Sequence, residues 1–329
     1  MVTRLSRGGW LALLAGFACV ACEPNLDERT FLVTSAEVLA VQSVPAEAAP
    51  GGTVKLSTLY VNTNGAVSGG RFDWAFCDAR NPLANLGPVS SACIAGPGGS
   101  EAGAVFTELG TAVTESGPVP LDACKLFGPD VPSALPNEPP GRPVDPDVTG
   151  GYYQPARLVA GGLIAIGVVR ITCDIPGASP AEVSELAADS HPNQNPAIDA
   201  VSAGSFGTLV LAEAGTNTVQ VSQRLDLEAS WSACAPTAAS CTGSEGYAYL
   251  DPQTHAVAQA REQIRVSWFA TAGVFDDDRT GREPTDPTTY TDNGWTAPAT
   301  PGRVNVWLVV RDDRGGVGWS SYTFTVKGS

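Results

Sequence analysis

The sequence predicts an all-β protein: two antiparallel β-sandwich modules joined by a short helix-containing linker, after a cleaved signal peptide. Three observations lead there. Short segments with a two-residue apolar period recur along the chain, among them Phe72-Trp74-Phe76 and Val304-Val306-Leu308-Val310, and a strand with one buried and one wetted face has that period. The 36 glycines and 26 prolines punctuate those segments and form no repetitive tract, which fits many short strands joined by turns. The 329 residues, less a leader, suffice for two domains of ordinary size.

The elements follow in order. Residues 1–21 read as a signal peptide: Arg4 and Arg7, an apolar run from Trp10 to Val20, then small residues. That run is shorter than the ~20 residues a bilayer span needs. The apolar stretch Leu158 to Val169 is also too short, and Gly161, Gly162 and Gly167 interrupt it. Residues 22–36 form a polar tether. The first module spans 37–175. Its first strand is Val38 to Val41, and Pro45 with Pro50-Gly51-Gly52 forces a turn. Thr53 to Val61 is the second strand, and Phe72, Trp74 and Phe76 share one face of a third. From Ser116 to Asp147 nine prolines predict an irregular excursion, which Cys124 staples. The chain returns through Arg157 to Val159 and Leu163 to Cys173. The latter is apolar on both faces, as in a central strand covered on both sides.

Residues 176–194 form the linker. Ser179-Pro180-Ala181-Glu182 is a capping box with proline at the first helical position, predicting a helix from Pro180 to Ala188. His191-Pro192 to Pro196 ends it. The second module spans 195–329. Leu225-Leu227-Ala229-Trp231, Ile264-Val266-Trp268, Val304 to Val310 and Tyr322-Phe324-Val326 alternate in turn, as in an antiparallel sandwich.

Two resemblances rest on particular residues. Ala21-Cys22, preceded by Cys19-Val20, resembles the end of a bacterial lipoprotein signal, in which the cysteine is lipidated and becomes the first residue. Cys19 stands where leucine is usual, and it is itself a rival anchor with bulky Phe17 in a small-residue place. The resemblance implies a chain exported and lipid-anchored to the cell envelope, on the periplasmic side of the outer membrane or at the surface. The alternative is an ordinary signal peptide and a soluble product. Val266-Ser267-Trp268-Phe269, Trp295 to Pro298, Pro301-Gly302 and Asp312-Asp313-Arg314-Gly315-Gly316 resemble bacterial Ig-like or PKD-like modules. That likeness covers residues 195–327 and implies an Ig-like sandwich, with no activity attached. The first half resembles the same class through Pro50-Gly51-Gly52 and the Trp74 strand, and its cysteine-bearing loop departs from the simple module.

Once Cys19 leaves and Cys22 takes lipid, Cys77, Cys93, Cys124, Cys173, Cys234 and Cys241 remain. An even set in an exported chain predicts three disulfides. Cys234 and Cys241 enclose a short loop and pair. Of the rest, Cys77–Cys173 with Cys93–Cys124 is favoured, because Cys77 and Cys173 both end strong strand patterns; Cys77–Cys93 with Cys124–Cys173 is nearly as good.

Removing Arg4 and Arg7 with the signal takes the formal charge from −15 to −17. Such a surface repels phosphate backbones, so nucleic acid is not an expected partner. The sequence holds neither a Gly-x-Ser-x-Gly elbow nor a Ser-x-x-Lys signature. It also lacks HExxH and any phosphate-cradling loop. His191 and His255, the two histidines, sit in loop settings. Asp276, Asp277 and Asp278, with Asp286 and Asp292 nearby, are the candidate calcium ligands, since several carboxylates can converge on one ion; a solvated turn is the commoner reading of such a loop. Tyr152 and Tyr153 either form an exposed platform for sugar or peptide or begin a strand. No cofactor other than calcium is expected.

The expected function is that of a non-enzymatic, lipid-anchored envelope protein whose modules serve binding, adhesion or assembly. The membrane, through the lipid, and an envelope protein or glycan are the partners. The alternatives are a carbohydrate-binding or substrate-capturing accessory lipoprotein, or a hydrolase with its site at the module junction. An exposed aromatic row would favour the first of these, and a histidine bonded to a buried acid the second.

Overall fold

The computed structural model describes residues 30–80, 89–94, 106–128, 148–175, 177–235, 238 and 240–328. The signal peptide, Cys19, Cys22 and most of the proline-rich excursion therefore lie outside the described residues.

The first half contains β1 (Glu37–Val44), β2 (Glu47–Ala48), β3 (Thr53–Asn62), β4 (Gly65–Ala66), β5 (Phe72–Cys77), helix α1 (Ser91–Ile94), β6 (Phe106–Gly110), β7 (Thr114–Pro118), helix α2 (Ala123–Phe127), β8 (Gly151–Ala160) and β9 (Leu163–Thr172). Helix α3 (Pro180–Asp189) follows, with the expected capping box closed in both directions between Ser179 and Glu182. The second half contains β10 (Ala200–Ser202), β11 (Asn217–Gln220), β12 (Arg224–Ser230), β13 (Gly246–Leu250), β14 (Val257–Arg261), β15 (Ile264–Ala270), β16 (Val274–Phe275), β17 (Arg279–Arg282), β18 (Tyr290–Thr296), β19 (Gly302–Asp312) and β20 (Val317–Lys327). The chain is all-β with Ig-like sandwich modules.

Four main sheets stack one on another. Sheet one runs β2-β9-β8-β5-β6; sheet two is β1-β3-β4, with β7 also on β3. Sheet three runs β11-β20-β19-β15-β17, and sheet four β10-β12-β18-β16. Phe72, Trp74, Phe76 and Leu158 of sheet one meet Val54 and Leu56 of sheet two. Trp268, Leu308 and Phe324 of sheet three meet Leu227, Phe275 and Trp295 of sheet four. These two interiors are the expected sandwich cores.

A third apolar layer joins the halves. Leu59 and Val61, on the other face of β3, pack with Leu39 and Ala40 of β1 against Trp307 and Val309 of β19. A register shift between Val38 and Ala40 bulges β1, which lets Leu39 and Ala40 turn to the same side. So β19 is covered on both faces, one by its own module and one by the other.

Two expectations change here. The doubly covered strand is β19, whereas β9 lies one place from an edge: β2, two residues long, pairs only Arg170 and Ile171 of it. Leu163 and Ile164 at its start are each 39% exposed. The tether is also shorter than residues 22–36. Leu32 bridges to Ala270, Phe31 meets Phe275 edge-on at 5.7 Å, and Val33 is fully buried.

The disulfides are Cys77–Cys93, Cys124–Cys173 and Cys234–Cys241, with Cα separations of 5.7, 5.6 and 5.7 Å. The favoured Cys77–Cys173 and Cys93–Cys124 pairing is thus corrected. Strand β8 lies between β5 and β9, which separates their axes by about 9.6 Å, beyond a disulfide's Cα reach of ~7 Å. The short helices α1 and α2 bring Cys93 and Cys124 to those two strand ends instead. Three disulfides belong to an oxidising compartment, and the protein is extracytoplasmic.

Candidate functional site

Among the described residues, the densest cluster of charged side chains lies where the halves meet. Glu47 leaves β2, Arg170 projects from β9, and Glu262 follows β14. Asp312 and Arg314 sit in the β19–β20 turn, Glu245 precedes β13, and Asn193 comes from the linker. All seven are buried, Arg170 and Glu262 to 1% exposure. One Glu47 oxygen accepts from Arg170 Nε at 3.1 Å, from Arg314 Nη2 at 3.4 Å and from the Asn193 backbone N–H at 2.8 Å. Its other oxygen accepts from the Thr172 hydroxyl at 2.9 Å. Arg314 Nη1 donates to Glu262 at 3.3 Å, and its guanidinium stacks 4.9 Å from the Tyr247 ring centre. Arg170 donates to Tyr153 Oη at 3.1 Å and to the Thr149 hydroxyl. One acidic residue from the first half thus binds an arginine from each half.

Local geometry makes room for this cluster. Asp312 Oδ1 accepts from the backbone N–H groups of Arg314 and Gly316 at 2.9 and 2.7 Å, an aspartate-capped turn of the kind its sequence predicts. Gly151 has no Cβ, and one there would fall 1.9 Å from Arg170 Nη2. Likewise a Cβ on Gly318 would strike the Pro196 carbonyl at 2.0 Å, so glycine lets the linker cross β20.

The four carboxyls Glu47, Glu245, Glu262 and Asp312 face two guanidiniums, Arg170 and Arg314. Water cannot screen the excess, so protons must. Burial pushes the Glu245 carboxyl up to about 6, against hydrogen bonding from Gln194. Burial, reinforced by the Asp312 charge, pushes Glu262 well above the usual carboxylate range, and burial raises Asp312 as well. Desolvation of the charged form is the common cause. The cluster's groups bond one another across the two halves, though Arg314 Nε and Asn193 Oδ1 are buried there without a hydrogen-bond partner.

The aspartates of the candidate calcium loop do something else. Asp276 receives both terminal nitrogens of Arg224, at 2.9 and 2.6 Å, and this pairing holds its carboxyl below the ordinary range. Asp278 accepts from the Thr30 hydroxyl at 2.6 Å. Asp277 bonds through its backbone, both N–H and C=O, to the Asn293 side chain. Asp286 accepts from the Thr288 backbone N–H at 2.9 Å, and Asp292 lies 3.6 Å from Arg282. Among the described residues no group of three or more acidic, histidine or cysteine side chains is placed to hold a metal. The carboxylates of Asp276 and Asp278 thus have different partners, Arg224 and Thr30, and Asp277 is held through its backbone. An open groove of about 440 Å³ does run past Arg224, Asp226, Glu228, Asp276 and Asp292.

Tyr152 and Tyr153 begin a strand. Tyr152 is 2% exposed in the core, and Tyr153 leans on Arg170. The most open aromatics among the described residues are Phe206 and Tyr290, each 38% exposed, on separate elements and in no row. His255 pairs with Glu182 at 3.1 Å on the exposed side of α3, and His191 gives its backbone carbonyl to Arg314. Sequence reasoning missed the junction cluster. One signal was legible: Arg170 is a lone charge inside Val168-Val169-Arg170-Ile171, and a charge in a buried strand demands a partner. Nothing local marks Glu47, Glu262 or Arg314.

No protein-family model matches the sequence, and no curated protein matches it. Among solved structures, the fibronectin(III)-like modules of Clostridium thermocellum CbhA align over 88% of this chain and 95% of theirs, at 11% identity and TM-score 0.20. The adhesin InvE of Yersinia pseudotuberculosis aligns over 87% of this chain and 58% of its own, at 12% identity and TM-score 0.20. A chimeric titin Z1Z2–Z1Z2 tandem aligns over 89% and 99%, at 10% identity and TM-score 0.23. Superpositions this loose carry no argument about what the chain does.

Proposed function

We propose that the protein is a non-catalytic, lipid-anchored envelope protein. It holds two Ig-like sandwiches as one rigid body for binding, adhesion or assembly, with an envelope protein or glycan as partner. The observation that carries the reading is the junction. An apolar layer and an enclosed charge cluster lock the halves, and the buried acids and arginines there serve each other instead of an open cleft. The basic-then-apolar leader ending at Ala21-Cys22 supports the anchor, and the three disulfides support export. The acidic surface disfavours nucleic acid.

The anchor is tested by fractionation and intact mass. Wild type partitions with membranes and carries acyl mass on Cys22, while Cys22→Ser is released to the soluble fraction. A Cys22→Ser variant that stays with membranes overturns the anchor. Presentation of a binding surface is tested by screening the purified protein on glycan arrays and envelope extracts beside a heat-unfolded control; turnover of an acyl, glycosyl or phosphoryl substrate would overturn the non-catalytic reading.

A further inference from the structure

Two kinds of contact hold the junction along a single strand. Trp307 and Val309 of β19 make the apolar layer with Leu39, Ala40, Leu59 and Val61. Beyond them, about 10 Å along the chain, Asp312 and Arg314 enter the buried charge cluster. The linker is clamped there from both sides. The Asn193 backbone N–H donates to Glu47 at 2.8 Å and the Gln194 N–H to Glu245 at 3.0 Å, one acid from each half. The Glu245 N–H in turn donates to Glu262 at 3.1 Å.

We infer that this charged end is a proton-controlled clasp, which opens to water as the pH rises and turns on the apolar layer while both sandwiches stay folded. The proportion of acids to bases decides it. Glu47 has both Arg170 and Arg314 on it, at 3.1 and 3.4 Å. Glu245, Glu262 and Asp312 share Arg314 as their cationic neighbour. Four buried carboxyls against two guanidiniums leave about two protons to be held while the cluster is closed, since uncompensated buried charge is strongly unfavourable. Opening hydrates the acids and releases those protons to solvent, so rising pH favours the open form. The other groups facing the cluster do not restore the balance. Tyr153 and Tyr247 lie against Arg170 and Arg314, and His191 offers its backbone carbonyl. Arg311 donates to the Leu39 carbonyl, and Asp313 adds an acid within range of both guanidiniums. Burial raises Glu245, Glu262 and Asp312 together, the direction a closed form that retains protons requires. The closed form is thus fully favoured below the ordinary carboxylate range and weakens as pH rises through about 6. Opening also gives water partners to Arg314 Nε and Asn193 Oδ1, which are buried without any in the closed form.

Amide hydrogen exchange on the full-length protein at pH 5.5 and pH 8, each corrected for the intrinsic chemical rate, tests the clasp. The reporters are backbone N–H groups that donate to cluster carboxylates: Asn193, Gln194, Glu245, Arg314 and Gly316. Their corrected exchange is expected to be at least about tenfold faster at pH 8, with strand peptides covering 54–61 and 304–310 unchanged. Glu262→Gln has no proton to release and makes the pH dependence shallower, and adding Glu245→Gln makes it shallower still. Glu108→Gln, an exposed acid on β6, leaves it as in wild type. Equal corrected rates at the two pH values overturn the clasp. Acceleration of the strand peptides together with the reporters also overturns it, because pH then acts on global stability. A wild-type slope that survives in both glutamine variants places the protons elsewhere and overturns it likewise.

Discussion

Glu262 shows how far a single carboxyl's behaviour depends on what surrounds it. Its side chain is buried between Arg314 and the Glu245 backbone, with Asp312 close enough to raise it further. For Glu245 the folded value, about 6, exceeds the ordinary 4.5, so the native state binds more protons than the unfolded chain. The stability tied to it is complete below about pH 4.5 and is lost as pH rises through about 6. Glu262 and Asp312 shift in the same direction and add to the loss. The surface acids Asp276 and Asp286 are shifted down, so they matter only as pH falls below the ordinary carboxylate range. The melting temperature is therefore expected to be higher at pH 5 than at pH 8. Glu262→Gln, neutral at every pH, should flatten that slope whatever it does to the absolute value. An equally steep slope in the variant would assign the pH dependence elsewhere.

Strand β19 is the element whose role alternation alone misstates. Val304, Val306, Leu308 and Val310 mark the face toward sheet four. Trp307 and Val309 then read as the wetted face, yet both are at most 1% exposed, because β1 and β3 cover them. Trp307→Ala should cost about 3–5 kcal/mol, the usual range for emptying a large buried aromatic site. In urea titration the midpoint would drop without loss of the β-sheet signal in the absence of denaturant. A change near zero would mean that the layer between sheets two and three is loosely packed. Strand β9 errs the other way. Its two apolar faces suggest a central place, but its neighbour β2 is two residues long, so its first half stays open.

At the scale of the whole molecule, the halves share a core and a charge cluster as well as the linker. Further ties are the Leu250 N–H to the Val148 carbonyl at 3.1 Å, Asn195 Nδ2 to the Ser43 carbonyl at 2.6 Å, and Arg311 Nη2 to the Leu39 carbonyl at 2.8 Å. Scanning calorimetry should show one transition with calorimetric and van't Hoff enthalpies in a ratio of about 1. Two resolved transitions would show that the modules unfold independently and that the junction contributes little.

Local periodicity was enough to determine the class of fold, most long strands, the α3 capping box, the aspartate turn at Asp312 and the even set of cysteines, because each is written in residues a few positions apart. The junction was not legible. Glu47, Arg170, Glu262 and Arg314 are separated by up to 267 positions, and nothing in any one segment says that the others will close over it. Disulfide partners, the second face of β19 and the partners of Asp276, Asp277 and Asp278 were left to the tertiary structure for the same reason. Burial and charge pairing depend on which distant surfaces meet, and the stacking of four sheets sets that.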